Sequence, residues 1–360
     1  MAQITHRPAH ISLLLDMLAY KRPAGSKSER KFINRYLRPL GVQTDKAGNV
    51  WKRIGNAPVL WSSHTDTVHR EAGRQPVVVS KGIASTYGSN CLGADCTVGV
   101  WLMVEMIKAE VPGLYIFHRA EEIGGLGSDY IAKHNPKLLD GIKFAIAFDR
   151  YGTTSIITHQ GFRCCSDDFA RSLKAQLGPE WKLDDGGTFT DTANYTDLVP
   201  ECTNISVGYH RQHHSTETQD LDHAEHLLGL LLSLDVNRLS CVRQPGTYDD
   251  YGKGWNRYYY SAASYDDVDP RGRDYGYGRY DTYSDFEDEV NQNAPRYAEL
   301  WGDDGVTTYT PKAKAGGKGS GGRSNYELLL EACRDNPEAV ADILDSFGIT
   351  PEDIFSHMHN

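Results

Sequence analysis

The sequence predicts an α/β domain of three layers, a central mixed, largely parallel sheet flanked by helices. Three observations carry this. The chain has 360 residues, enough for one large α/β domain with additions. Strand-like and helix-like runs alternate from the N-terminus to about residue 242. Residues that bear chemistry gather where strand-like runs end, the place where sites form in such sheets.

In chain order, His10–Tyr20 and Lys27–Leu40 have helical spacing, and short strands are expected near Val42 and Val50. Ala57–Ser63 is a compact apolar run that delivers His64. Thr97–Ala109 is helical, Gly113–His118 a strand and Leu126–His134 a helix. Lys143–Phe148 and Thr154–Thr158 read as strands, and Phe162–Leu177 as a helix. Asn204–Gly208 is the last strand, and Leu221–Leu239 a long helix with an apolar face.

Beyond residue 242 the composition changes. Residues 243–322 are rich in Tyr, Gly, Asp and Arg and nearly free of aliphatic side chains, too little apolar area to offset the entropy of ordering. They are expected to be a disordered linker, closing in the flexible stretch Pro311 to Gly322. Residues 323–360 regain helical spacing, and Thr350-Pro351 reads as a helix start. A module this small is marginal alone, so 243–360 is expected to serve a protein partner or self-association. The domain organisation is thus 1–242, 243–322 and 323–360.

Composition narrows the function. A net charge of -10 argues against nucleic acid as a partner, since phosphate backbones call for clustered Lys and Arg. The start of the chain reads as no signal peptide, and Ile11 to Leu18 is too short to span a bilayer, so no membrane association is expected. Seven cysteines, with no CxxC, suggest neither a disulfide framework nor a zinc ribbon, and a cytoplasmic location is the simplest expectation.

Five motifs carry chemistry. In His64-Thr65-Asp66, residues two apart in an extended chain face one side, so His64 is a candidate metal ligand with Asp66 fixing its tautomer. Asp95, in Leu92-Gly93-Ala94-Asp95-Cys96, stands at a helix start, where a carboxylate either caps the helix or bridges two metals. Glu121 and Glu122 follow a strand, and adjacent side chains diverge, so one can ligate while the other acts as general base. Asp149 ends a strand, and His210, His213 and His214 follow the last one. Together, His, Asp and Glu side chains form a mixed N/O ligand set suited to zinc and rich enough for a two-metal cluster.

In their order, HTDTV, GADC-x-x-G, EE-x-G, FD and SVGY-x-x-QH-x-x-x-E, these motifs resemble the zinc-dependent exopeptidase superfamily, over about residues 58–217. The resemblance implies two divalent metal ions, zinc by default. His64 and Asp149 would hold one, Glu122 and a late histidine the other, and Asp95 would bridge them. Glu121 would be the general base and Asp66 the carboxylate supporting His64. The peptide bond after the bridging Asp is often cis in this group. An acidic residue four places on favours His213, with Glu217, over its competitor His214. Cys96 departs from the Asp often found there. The short interval between Asp149 and His213 leaves no room for an inserted lid domain, which suggests the compact branch. The segment Gly186 to Ala193 resembles a pocket-lining loop, making Asp191 and Tyr195 candidate substrate contacts, or simply parts of a turn.

The function these features imply is hydrolysis of an amide bond by a metallo-exopeptidase acting on a peptide. An N-acyl amino-acid amidohydrolase would share the same metal core. A phosphoesterase would want a basic clamp, for which Arg119, Arg150 and Arg163 are the candidates. A non-catalytic scaffold that binds through its tail is the alternative of another class.

Overall fold

Alternation of side chains along three parallel strands builds the centre of the molecule. In β4 (Val59–His64), β8 (Gly113–His118) and β9 (Phe144–Arg150), successive residues face opposite sides of the sheet. Val59, Trp61, Tyr115, Phe117, Phe144, Ile146 and Phe148 join one core cluster, and Leu60, Leu114, Ile116 and Ala145 join another on the opposite face. Nearly every one is fully buried, and each large apolar side chain so placed contributes about 1.5–3 kcal/mol. A strand buried on both faces belongs to the middle of a layered domain.

We describe residues 8–88, 90–246 and 307–308 of a computed structural model. All lie in the first of the chain's two units, Met1–Pro311. The linker expected over 243–322, apart from 243–246 and 307–308, and the helical module expected over 323–360 lie outside the described residues.

The remaining elements run in order. Helix α1 (Ala9–Leu18) leads to β1 (Tyr20–Lys21) and α2 (Lys27–Phe32). Ser26 caps α2 by accepting the Glu29 N–H. The expected Lys27–Leu40 helix tightens and loosens: a π turn at Ile33–Leu37 and a 3-10 turn at Arg38–Leu40 follow, ended by Gly41 with φ 71°. Next come β2 (Gln43–Thr44) and β3 (Val50–Ile54) before β4. Between β4 and α3 (Ala94–Lys108) lie β5 (Gly73–Arg74), β6 (Val78–Ser80) and β7 (Ile83–Ser85). Helix α4 (Leu126–His134) follows β8, and β10 (Ser155–Ile157) follows β9. Helix α5 is shorter than its sequence suggests: it spans Asp167–Leu177 and starts where Ser166 accepts the Phe169 N–H. Then come β11 (Lys182–Asp184), β12 (Glu201–Ser206), β13 (Tyr209–His210), β14 (Thr218–Asp220), α6 (Leu221–Ser233) and β15 (Thr307–Thr308).

The main sheet has the order β11-β10-β12-β9-β4-β8-β3-β2-β15. Pairs β12–β9, β9–β4, β4–β8 and β10–β11 are parallel, and the others antiparallel. A smaller antiparallel sheet, β13-β14-β7-β6, draws on both halves of the domain. After β4 the chain passes to β8 on one side and then crosses to β9 on the other. The strand order therefore reverses at β4, and a crevice opens at the carboxyl ends of β4, β8 and β9. The segment between Asp149 and His213 is spent on β10, α5, β11, β12 and β13.

The ordered chain continues past residue 242. Arg243 is buried; its guanidinium donates to the carbonyls of Thr196, Val199 and Pro200. Glu201, wholly buried, accepts the Val242 and Arg243 N–H groups at 2.8 and 2.9 Å.

Candidate metal centre

Each motif picked out in the sequence arrives at this crevice from a different element. β4 ends at His64, and β8 ends in register beside it at His118. The chain after β8 turns back immediately, carrying Glu121 and Glu122. β9 carries Asp149, the start of α3 carries Asp95, and the loop between β13 and β14 carries His213.

The two carboxylate oxygens of Asp95 divide between two histidines. Oδ1 lies 3.1 Å from His64 Nε2, and Oδ2 lies 3.2 Å from His213 Nε2. Each histidine has a second carboxylate beside it: Asp149 Oδ1 is 3.3 Å from His64 Nε2, and Glu122 Oε2 is 3.1 Å from His213 Nε2. Glu121 Oε2 is 3.9 Å from His64 Nε2. His64, Asp95 and Glu122 offer ligand atoms that all lie within 4.8 Å of one another. The arrangement is two half-sites sharing one carboxylate.

Supporting bonds fix these groups. His64 Nδ1 faces Asp66, 3.1 Å from its carbonyl and 3.5 Å from its carboxylate. The carboxylate of Asp66 also accepts the Glu121 N–H at 3.2 Å and the Glu122 N–H at 3.1 Å. One buried side chain thus stands behind the first histidine and aligns the glutamate pair. Asp149 is held through its backbone by Asn204 and through Oδ2 by the Thr190 hydroxyl at 2.7 Å. Nothing in the sequence singles out Asn204 or Thr190, because their roles depend on which strands become neighbours.

The cluster's charge is unbalanced. Burial pushes Glu121 well above the usual carboxylate range, with Asp149, Glu122 and Asp191 adding repulsion. Burial and the Asp95 charge move Asp149 up to about 7. Burial also raises Glu122. Against the effect of burial, His64 is raised by Cys96, then Asp149 and Asp66, and His213 by Glu122 and Asp95. Glu122 Oε1 and Asp149 Oδ1 are buried without a hydrogen-bond partner. Four carboxylates, two imidazoles and two orphaned oxygens are a donor set that fits hard or borderline divalent cations.

Cys96 also lies near His64 and Asp149. Its thiol donates to the Phe148 carbonyl at 2.9 Å and burial drives its pKa well up, so it packs as a protonated side chain. The Asp95–Cys96 peptide bond is cis.

The late histidines separate. Both are exposed, but the His213 ring reaches Asp95 and Glu122, while His214 uses its backbone in the turn, bonding Arg211 and Glu217. The two candidate substrate contacts are both buried and both meet the ring of His118. Asp191 is buried close to the cluster, with Oδ2 3.3 Å from His118 Nδ1, and burial raises it to about 8. Tyr195 is 0% exposed, and its hydroxyl bonds His118 Nε2 at 2.7 Å. It closes the 3-10 turn Asp191–Tyr195, and its ring packs in a core cluster with Ile116, Ile131 and Cys202.

The layered fold is shared with solved structures of peptidases. Among solved structures, the aminopeptidase PepT of Bacillus cereus and a tripeptidase of Staphylococcus aureus are each similar to this chain with a TM-score of 0.52. Both are 14% identical, over 62% of this chain and 96% of the other. A TET aminopeptidase from a marine-sediment Thaumarchaeota archaeon has a TM-score of 0.51 at 12% identity, over 64% of this chain and 99% of its own. No protein-family model matches the chain, and no curated protein does. Among the described residues, no helix is long and apolar enough to cross a membrane.

Proposed function

We propose that this protein is a dinuclear metallo-exopeptidase, cleaving a peptide bond at the end of a peptide chain. The observation that carries this is the divided carboxylate of Asp95, with a histidine and a second carboxylate on either side. His64 and Asp149 would hold one ion, His213 and Glu122 the other, and Asp95 both; zinc suits the donors best. When bound, such ions supply Lewis acidity to a water molecule and to the scissile carbonyl.

The chain's own part in the reaction falls to Glu121. It lies beside the cluster without being needed as a ligand, placed to take a proton from water and return it to the leaving amine. Asp66 orients it by holding its N–H. The names of the structural neighbours, an aminopeptidase and a tripeptidase, favour a peptide substrate over an N-acyl amino acid.

The test is elemental analysis of the purified protein together with a panel of short peptides and N-acyl amino acids. About two equivalents of metal and release of terminal residues from peptides are expected. A protein that takes up no metal when zinc is supplied would refute the proposal; turnover of the N-acyl compounds alone would replace the peptidase with an amidohydrolase.

A further inference from the structure

Asp95 lies in the entry segment of α3, where its own backbone (φ -76°, ψ 107°) and that of Cys96 are not yet helical, and an aspartate there ordinarily bonds nearby free backbone N–H groups. Here its two oxygens face away, toward His64 and His213. The structure shows what has replaced it. Glu217, 1% exposed, reaches across from the start of β14 and accepts Gly93 N–H at Oε2, 2.8 Å, and Ala94 and Asp95 N–H at Oε1, 2.9 and 3.2 Å. No side chain from the helix's own cap residue, Gly93, bonds these groups.

We infer that Glu217 is a positioning residue: by holding the Gly93, Ala94 and Asp95 N–H groups of the segment that enters α3, it fixes the backbone of Asp95 and frees its carboxylate to face both half-sites. This rests on the dinuclear reading above. The same short loop carries His213, whose ring meets Asp95 Oδ2 from the front while Glu217 holds the Asp95 backbone from behind. The loop is itself closed by bonds from His214 N–H to the Arg211 carbonyl and from Glu217 N–H to the His214 carbonyl. Arg211 and His213 have φ of 59° and 65°. Three anchors on one turn therefore keep the bridging carboxylate and its second histidine in mutual register. Without Glu217, the free N–H groups of this entry segment compete for the Asp95 carboxylate.

The experiment compares the full-length wild type with Glu217→Ala, Glu217→Gln and Glu217→Asp, plus Leu177→Ala as a control for general destabilisation in a core distant in sequence. Metal-free proteins are checked for folding by circular dichroism, and zinc alone is titrated by calorimetry. Two sites are expected in the wild type. Glu217→Ala and Glu217→Asp, whose side chain is one methylene short, should weaken at least one site by about 10-fold or more. Glu217→Gln should fall between, since its Oε1 still accepts two N–H groups while its amide faces the third donor. Leu177→Ala should lower the melting temperature with both sites intact. Folded Glu217 variants that bind zinc no more weakly than Leu177→Ala overturn this inference and leave the dinuclear site standing. A wild type without zinc sites overturns both.

Discussion

Asn204 and Asp149 exchange two hydrogen bonds: the Asp149 N–H donates to Asn204 Oδ1 at 2.9 Å, and Asn204 Nδ2 donates to the Asp149 carbonyl at 2.8 Å. The pair sits where the register between β12 and β9 shifts, between Asn204 and Ser206. Backbone groups that the ladder would otherwise leave without partners are satisfied by one side-chain amide. Replacing Asn204 by Leu should cost about 2–4 kcal/mol, since two buried backbone groups lose partners. It should also weaken zinc binding, because Asp149 loses its anchor. Thermal melts and a zinc titration measure the two effects; unchanged zinc affinity would show that Thr190 alone is enough to hold Asp149.

Glu121 is the proposed proton carrier and lies outside the proposed ligand set. Glu121→Ala should therefore retain about two equivalents of metal and lose turnover by about 100-fold or more. Metal analysis and peptide hydrolysis on one preparation decide it. A mutant that hydrolyses peptides at the wild-type rate would assign the proton transfer elsewhere, with Asp191 the nearest remaining candidate.

The gathering of the candidate residues was legible in the sequence because they stand at or just after strand ends, and a strand's last residues are placed by the strand itself. His64, Asp149 and the Glu121–Glu122 pair are of that kind. Distant partners were not legible. Glu217 could be noticed from its spacing to His213, but its bonds to Gly93, Ala94 and Asp95 arise only once β14 lies beside β7 in the small sheet. The small sheet itself went unseen, because strands of two or three residues such as Val78–Ser80 and Ile83–Ser85 are too short to show a period. Helix ends failed for a local reason: a polar N-cap, Ser166, outweighed the helix-like residues before it.

His69 gives a pH prediction away from the ligands. It is buried, with the Thr67 hydroxyl 2.7 Å from Nδ1 and the Cys91 carbonyl 3.0 Å from Nε2. Burial, then the nearby Arg22 charge, lowers it to about 4 from 6.5. A lowered imidazole means the unfolded chain binds the proton more readily. This stabilising contribution is complete above about pH 6.5 and is lost as pH falls toward 4, on the order of 2–3 kcal/mol in all. Urea unfolding of metal-free wild type and His69→Gln across pH 4–7.5 isolates it. The wild type should lose more stability on acidification than the mutant, and equal slopes would contradict the assignment.

The end of the described fold makes the last prediction. Composition changes at residue 243, yet Arg243 and its neighbour are tied to the domain. Glu201 receives the Ser166 N–H and hydroxyl on one side and the Val242 and Arg243 N–H groups on the other. The Arg243 guanidinium closes the carbonyls of Thr196 and Pro200. Removing residues 247–360 leaves all of these bonds in place and takes away only the two-residue edge strand β15 from the main sheet, so that truncation should stay close to the melting temperature of the full chain and keep its peptide turnover. Removing residues 242–360 strips Glu201 of two donors and leaves a buried carboxylate undercompensated, at a cost of about 3–5 kcal/mol. The comparison separates two meanings of the same boundary. If both truncations are equally stable, the Arg243 strap is ornamental; if both lose turnover while staying folded, the region beyond 246 takes part in catalysis and is not confined to assembly.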